Sequence, residues 1–353
     1  MLSRVAEDIF WMSRYVERSV VVSRLIDVTL HLELDIGDSD DNADLWAPLL
    51  GPAVAGGHLQ LQDDSHPQPR EVRHHLAFNG ENPNSLVSCV RRARAAARGV
   101  RESLSSEMWE SLNTLYLSLV DPALIAEAEE SPHPFFRRVR ETAQFIQGLA
   151  DCTLVRDEPW HFVTLGKYLE RADSVARVLY LQAHLLTPSS VESGGADPLV
   201  RWLAVLRSCG SAEAYARYYA LRVEPARVVE FLLLNPIFPQ SVRFSLGASW
   251  EALRAINERN NVSGVGVVRA GSAEDSSPEV RTLGLLRAHL EHAAVDEILL
   301  EGLHAYLADV QHRIATISEF ITRRYMRDDP QPSRLPAAAR AAMIMAAQQQ
   351  QQQ

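Results

Sequence analysis

Residues 14–24 read RYVERSVVVSR, and residues 167–177 read KYLERADSVAR. Tyr, Glu, Arg, Val and the final Arg match in place, with conservative exchanges at several of the rest. Such an internal echo suggests two related helical halves, 1–153 and 154–326. Around the first copy, residues 2–34 hold no Gly or Pro, and Ser3 is placed to cap the start of a helix. Ile9, Phe10, Trp11, Met12, Val16, Val20, Val22 and Leu25 make this helix apolar almost all round. A helix of that kind is buried.

Outward from these segments the pattern stays helical. Asn82-Pro83-Asn84-Ser85 reads as a helix start, with Pro preorganised for the first turn, and periodicity runs to about Leu119 with a break at Ser105-Ser106. Further helices are expected near 134–150, 160–185, 198–221, 225–235, 239–260, 279–293 and 295–326. Strand-like alternation is scarce, so the fold class is all-α, a multi-helix bundle spanning 1–326. The acidic stretch Asp35–Asp44 leads into a Gly/Pro/His-rich connection to about Pro69 that holds one short helix. Thr187–Asp197 and Val262–Ser277 are polar breaks. The Pro/Ala/Gln-rich tail, 327–353, is expected to be disordered.

The bulk numbers exclude several function classes. Of 353 residues, 46% are hydrophobic and 23% charged, as in an ordinary globular protein. A formal net charge of -10 opposes a global attraction to nucleic acid or to an anionic membrane. Cys89, Cys152 and Cys209 are odd in number and form no Cys-x-x-Cys pair, which suits a reducing compartment rather than a disulfide framework. Arg4, Glu7 and Asp8 are foreign to a signal peptide, and no apolar run is long enough to cross a bilayer. A cytoplasmic location is expected.

Residues at i, i+3, i+7 and i+10 share a helix face. Arg14, Glu17, Val21 and Arg24 form one such stripe, and Lys167, Glu170, Ser174 and Arg177 form its counterpart. Charges on buried helices must be paired, because an isolated one costs several kcal/mol or more. Two readings follow. The stripes meet as an inter-helix ion-pair network that fixes the bundle register, or they line a pocket for a carboxylate-bearing ligand with Arg as a bidentate clamp. A second stripe, Arg91, Arg94, Arg98 and Arg101, needs solvent, an internal acidic partner or an anionic ligand to relieve its own repulsion. It lacks interleaved aromatic residues, so it makes no nucleic-acid surface.

Catalytic and cofactor motifs are not found. Glu71-x-x-His74 and Glu301-x-x-His304 fit half of a di-metal bundle motif, yet the bridging glutamates are not evident. His289-x-x-His292 lacks the zinc-protease order. Asp38-x-Asp40-x-Asn42-x-Asp44 imitates a calcium loop but has Ala43 and Leu49 where Gly and Glu belong. No Gly-x-Gly-x-x-Gly, phosphate loop or Gly-x-Ser-x-Gly is present. No metal and no cofactor are expected. Cys89 opens the arginine helix, where cations would favour a thiolate, but a small buried core cysteine is the commoner outcome.

The blocks together resemble a known family. The opening MLSRVAEDIFWMSRYVER, Asn82-Pro83-Asn84-Ser85 with Arg91–Glu102 and Ser105–Glu110, and Phe162–Arg177 with its Leu165-Gly166 and Glu170-Arg171-Ala172-Asp173 are similar to bacterial alpha-E proteins. Trp202–Tyr215 and Val229–Val242 extend the likeness to nearly the whole chain. The resemblance implies an all-helical domain associated with a circularly permuted ATP-grasp ligase and a transglutaminase-like protein, in a pathway that makes or modifies a peptide through amide bonds. Within that reading, the striped residues Arg14, Glu17, Arg24, Lys167, Glu170 and Arg177 would form a charged centre that organises the bundle or receives a carboxylate-bearing peptide. A stand-alone enzyme with Glu17 or Glu170 as general base, and a plain scaffold, are the competing readings. Two departures stand out: Asn235 where the family tends to show Asp, and Gln240 in Phe238-Pro239-Gln240-Ser241-Val242 where it tends to show Arg.

Overall fold

The computed structural model describes residues 1–36, 45–50, 68–183, 198–219, 222–263 and 277–326. The Asp35–Asp44 segment past Ile36, residues 51–67 of the connection that follows it, Thr187–Asp197, residues 264–276 of the second polar break and the 327–353 tail lie outside the described residues. Among the described residues every regular element is helical. In chain order they are α1 (Ser3–Ile36), α2 (Pro69–Ala77), α3 (Leu86–Gly99), α4 (Ser106–Val120), α5 (Pro122–Glu130), α6 (Pro132–Thr153) and α7 (Glu158–Gln182). Then follow α8 (Pro198–Ser208), α9 (Ala212–Tyr219), α10 (Pro225–Leu234), α11 (Val242–Ser263), α12 (Pro278–His292), α13 (Val295–Glu301) and α14 (Leu303–Ile321). None is long and apolar enough to cross a membrane.

Local chemistry sets the boundaries. Ser85 accepts from the Ser88 amide at 3.2 Å and Ser105 from the Met108 amide at 3.3 Å, which starts α3 and α4 and makes the expected break at Ser105 a true helix end. Asp121 accepts from the Ala123 amide at 2.8 Å, with Pro122 in the first turn, and opens α5, a helix the periodicity did not reveal. The single helices expected over 198–221 and 295–326 are each broken. Gly210 at φ 62° separates α8 from α9, and Gly302 at φ 110° separates α13 from α14. Both angles suit glycine because a Cβ would clash with the backbone there.

One large apolar cluster makes up most of the core, with a small separate one of Val28, Leu32 and Ala204, and α1 and α7 run through the large one. On one side α1 packs on α3, α3 on α4, α4 on α6, and α6 returns to α1. On the other, α7 packs on α11, α11 on α12, α12 on α14, and α14 returns to α7. The connection into α11 also repeats the one into α3: Ser241 accepts from the Phe244 amide at 3.0 Å, as Ser85 does from Ser88, and each Ser lies two residues after a Pro.

α1 and α7 approach closely because the residues at their crossing are small. Ser13 donates its hydroxyl to the Val163 carbonyl at 2.6 Å. A Cβ on Gly166 would stand 2.5 Å from the Phe10 carbonyl oxygen and 3.1 Å from Cβ of Ser13. This contact, one turn before the charged residues on each helix, brings the two Glu-Arg dipeptides within reach of each other.

Candidate functional site

Glu17 and Glu170 are almost wholly buried, 1% and 2% exposed, so each carboxylate must find its partners inside the protein. They find them across the helix pair. Arg171 of α7 forks onto Glu17 of α1, with Nε at 2.7 Å from one oxygen and Nη2 at 3.0 Å from the other. Arg18 of α1 forks onto Glu170 of α7 in the same way, at 2.5 and 3.0 Å. The two Glu-Arg dipeptides thus exchange partners. Each is a bidentate, charge-assisted pair, the strongest form of the interaction.

Further groups complete both shells. Arg14 donates through Nε to Glu170 at 2.7 Å and through Nη1 to the Ser318 hydroxyl at 3.1 Å. The Gln147 amide donates to Glu17 at 2.5 Å. Each forked arginine also reaches a loop that starts a helix: Arg18 bonds Asn84 Oδ1 at 2.8 Å, and Arg171 bonds the Pro239 carbonyl at 3.3 Å. Tyrosine rings lie beneath them, Tyr15 at 5.8 Å from Arg18 and Tyr168 at 5.0 Å from Arg171. The crossed pairs therefore tie the α1–α7 crossing to the starts of α3 and α11.

Burial alone would raise the Glu170 pKa, but the Arg18 and Arg14 guanidiniums outweigh it and hold the carboxyl at about 2. A carboxylate held that low is a poor general base near neutral pH. The cavity beside it, between α1 and α7, is about 30 Å³, room for about two waters. Small-molecule pockets run to about 300–1,000 Å³.

The six stripe residues are placed unequally. Arg14, Glu17 and Glu170 converge on the crossing. Lys167 turns to Asp151 on α6 at 3.2 Å, and Arg177 pairs with Asp173 one turn before it at 2.7 Å. Arg24 has no hydrogen-bond or ion-pair partner among the described residues. Burial lowers its pKa and the nearby Arg140 lowers it further, while its guanidinium packs so closely on Gly210 that a Cβ there would lie 2.8 Å away. Arg18 and Arg171, the forked arginines, fall outside the i, i+3, i+7 stripe. Their signal was the repeated Glu-Arg dipeptide itself. On helices buried nearly all round, the residue about 100° past each glutamate still faces protein.

The arginines of α3 in this stripe, and Arg101 just past its end, are relieved without carboxylates. Arg91 donates to the Gly80 carbonyl at 3.1 Å; Arg94 donates to Asn113 at 2.8 Å and lies over the Tyr116 ring at 4.7 Å. The Arg101 guanidinium stands 5.1 Å from the Trp109 ring, and Arg98 is exposed. Cation–π contact thus takes the place of an acidic partner. Cys89 is fully buried, and burial pushes its thiol up to about 12 despite the nearby Arg18. That is an inert core cysteine. Asn235 accepts from the Ile237 and Phe238 amides at 3.0 and 2.9 Å, so an uncharged residue still holds this loop.

Comparison with known proteins finds a family model and several relatives. The model of the Alpha-E family, described as a predicted alpha-helical domain with a conserved ER motif, matches residues 1–326. An uncharacterised protein of Mycobacterium bovis is 29% identical over 336 residues, covering 87% of this chain and 36% of its own length. Uncharacterised proteins of two Mycobacterium tuberculosis strains match over the same span at 29% and 28% identity. The chain therefore spans about a third of the length of these curated relatives. No solved structure matches the chain.

Proposed function

The chain belongs to the Alpha-E family, and from that premise we propose that it is an accessory helical protein acting with an ATP-grasp peptide ligase in amide-bond-forming peptide synthesis or modification. Its part is non-catalytic, and a transglutaminase-like protein shares the pathway. Glu17-Arg18 and Glu170-Arg171 are the two copies of the ER motif, related through duplication of a four-helix half. Their crossed pairs lock the halves together and present the outer helices as one rigid body.

The observation that carries this reading is the closure of the charged centre. Both carboxylates are bound on both oxygens, and the adjoining cavity of about 30 Å³ admits no peptide. The lengths of the mycobacterial relatives support it as well, since there the matched stretch is part of a much longer protein. A helical domain that works beside other domains in one chain can work beside separate partners in another. The stand-alone enzyme reading would need Glu170 to accept a proton near pH 7, and a pKa of about 2 opposes that.

Affinity capture of the full chain from its native host, read by mass spectrometry, tests the proposal. An ATP-grasp ligase recovered at near-stoichiometric yield is the expected result. Recovery of the chain alone, under conditions that preserve other complexes of the cell, contradicts it.

A further inference from the structure

A separate cluster lies where the C-terminal half of α1 meets the start of α6. Asp27 and His31 are one turn apart on α1, and His133 comes from the first turn of α6. One ring nitrogen from each histidine and one carboxylate oxygen of Asp27 all lie within 4.8 Å of one another. The two imidazole centroids are 4.1 Å apart. Asp27 is buried, His133 is partly exposed and His31 is exposed, so the cluster opens on one side onto a concave surface of about 760 Å³.

The hydrogen bonds assign the ring protons. Nδ1 of His31 lies 2.7 Å from the Asp27 backbone carbonyl, and a carbonyl oxygen only accepts. Nδ1 of His133 lies 2.9 Å from Asp27 Oδ1, whose other oxygen accepts from Arg140 at 2.8 Å. Both Nδ1 atoms are therefore donors, and in each neutral ring the lone pair is on Nε2. A histidine whose Nδ1–H is fixed by a carboxylate or a carbonyl is the usual form of a metal-binding histidine, because that bond sets the tautomer and the ring orientation.

Three guanidiniums line the same surface, and each has an acid near it. Arg140 is held by Asp27, Arg137 donates to Glu141 at 2.7 Å, and Arg138 stands 3.8 Å from Glu127. Each guanidinium of this lining therefore has an acid close by, while the partly buried Arg24 behind Arg140 adds one positive charge that has no such partner among the described residues. The donor set is imidazole-rich, which suits zinc, copper or nickel rather than calcium or magnesium.

We propose that His31 and His133, backed by Asp27, hold a divalent transition-metal ion such as Zn²⁺ in an exchangeable site with open coordination positions on the α1/α6 surface. The site is independent of the crossed Glu-Arg pairs. It uses a pair of histidines 102 residues apart, which no local spacing motif joins.

Isothermal titration of ZnCl₂ into the untagged, chelator-stripped full chain tests it. One saturable site is expected, weakened at least about tenfold in both His31→Ala and His133→Ala. His74→Ala, which alters a histidine beside Glu129 elsewhere on the surface, should bind as the wild type does. His31 is exposed, so its variant should keep the wild-type circular dichroism and melting temperature. The proposal fails if the wild type gives no saturable heat, or if folded His31→Ala and His133→Ala bind Zn²⁺ with unchanged affinity.

Discussion

Arg18 on the first helix of the bundle grips both oxygens of Glu170 on the seventh, at 2.5 and 3.0 Å, while the neighbouring residues Glu17 and Arg171 make the reverse bond. Four charges adjacent in sequence two by two thus become two inter-helix pairs. Burying them costs desolvation, and that cost is recovered only while every partner stays in place. The arrangement is suited to fixing one register between α1 and α7. It is poorly suited to proton transfer, because no carboxylate oxygen in it is left without a donor.

The pairing makes the protein acid-sensitive. The Arg18 and Arg14 guanidiniums hold Glu170 well below its ordinary 4.5 in the folded state. A depressed folded pKa adds stability above the unfolded value and loses it as pH falls toward the folded one. This one group should therefore stabilise the fold at neutral pH, and that contribution should fade as pH falls through the ordinary carboxylate range toward the lower folded value. Urea unfolding across that range checks it, and Glu170→Gln should flatten the dependence.

Close packing at the crossing predicts opposite signs for two glycine substitutions. Gly166→Ala pushes a methyl group against the Phe10 carbonyl and Ser13, and should destabilise by about 1–3 kcal/mol. Gly148→Ala, on α6 with nothing within 4 Å of the new Cβ, should stabilise by up to about 1 kcal/mol through helix propensity alone. Denaturant midpoints of the two variants measure the contrast.

Thiol titration separates the three cysteines. Cys89 and Cys209 are buried, and burial pushes both up to about 12; Cys152 is exposed. A disulfide reagent at pH 8 should label one thiol per native chain quickly and all three after denaturation.

Gly210 holds φ 62° beneath the Arg24 guanidinium. Gly210→Ala adds strain at a left-handed position and a contact of 2.8 Å, so it should destabilise by about 1–3 kcal/mol. If Arg24→Met is combined with it, part of that loss should return, which melting curves of the single and double variants would register.

Much of this was legible in the sequence. An unbroken helix apolar on nearly every side told of a buried α1, and the repeated RYVER and KYLER segments marked α7 as its counterpart. Arg14, Glu17 and Glu170 were expected in one charged centre, and Arg14 does bond Glu170 across the two helices. Arg18 and Arg171 were missed because a stripe argument assumes one facing surface, whereas these helices are enclosed. Lys167 was drawn away by Asp151 on the preceding helix, a tertiary contact with no local sign. Arg177 instead pairs with Asp173 at i, i+4, a spacing that the stripe argument passed over. The splits at Gly210 and Gly302 were hidden, since a lone glycine is tolerated inside many helices and only its dihedral reveals a break. The Asp27–His31–His133 group joins distant segments and has no linear signature.

The most direct test of the crossed-pair account is a double-mutant cycle across Glu17 and Arg171, read by equilibrium urea unfolding. Glu17→Met and Arg171→Met each strand a buried charge and should cost about 3–5 kcal/mol, whereas the double variant should regain most of that loss. Single costs below about 1 kcal/mol, or a double variant whose cost is the sum of the two, would contradict the claim that this pair locks α1 to α7.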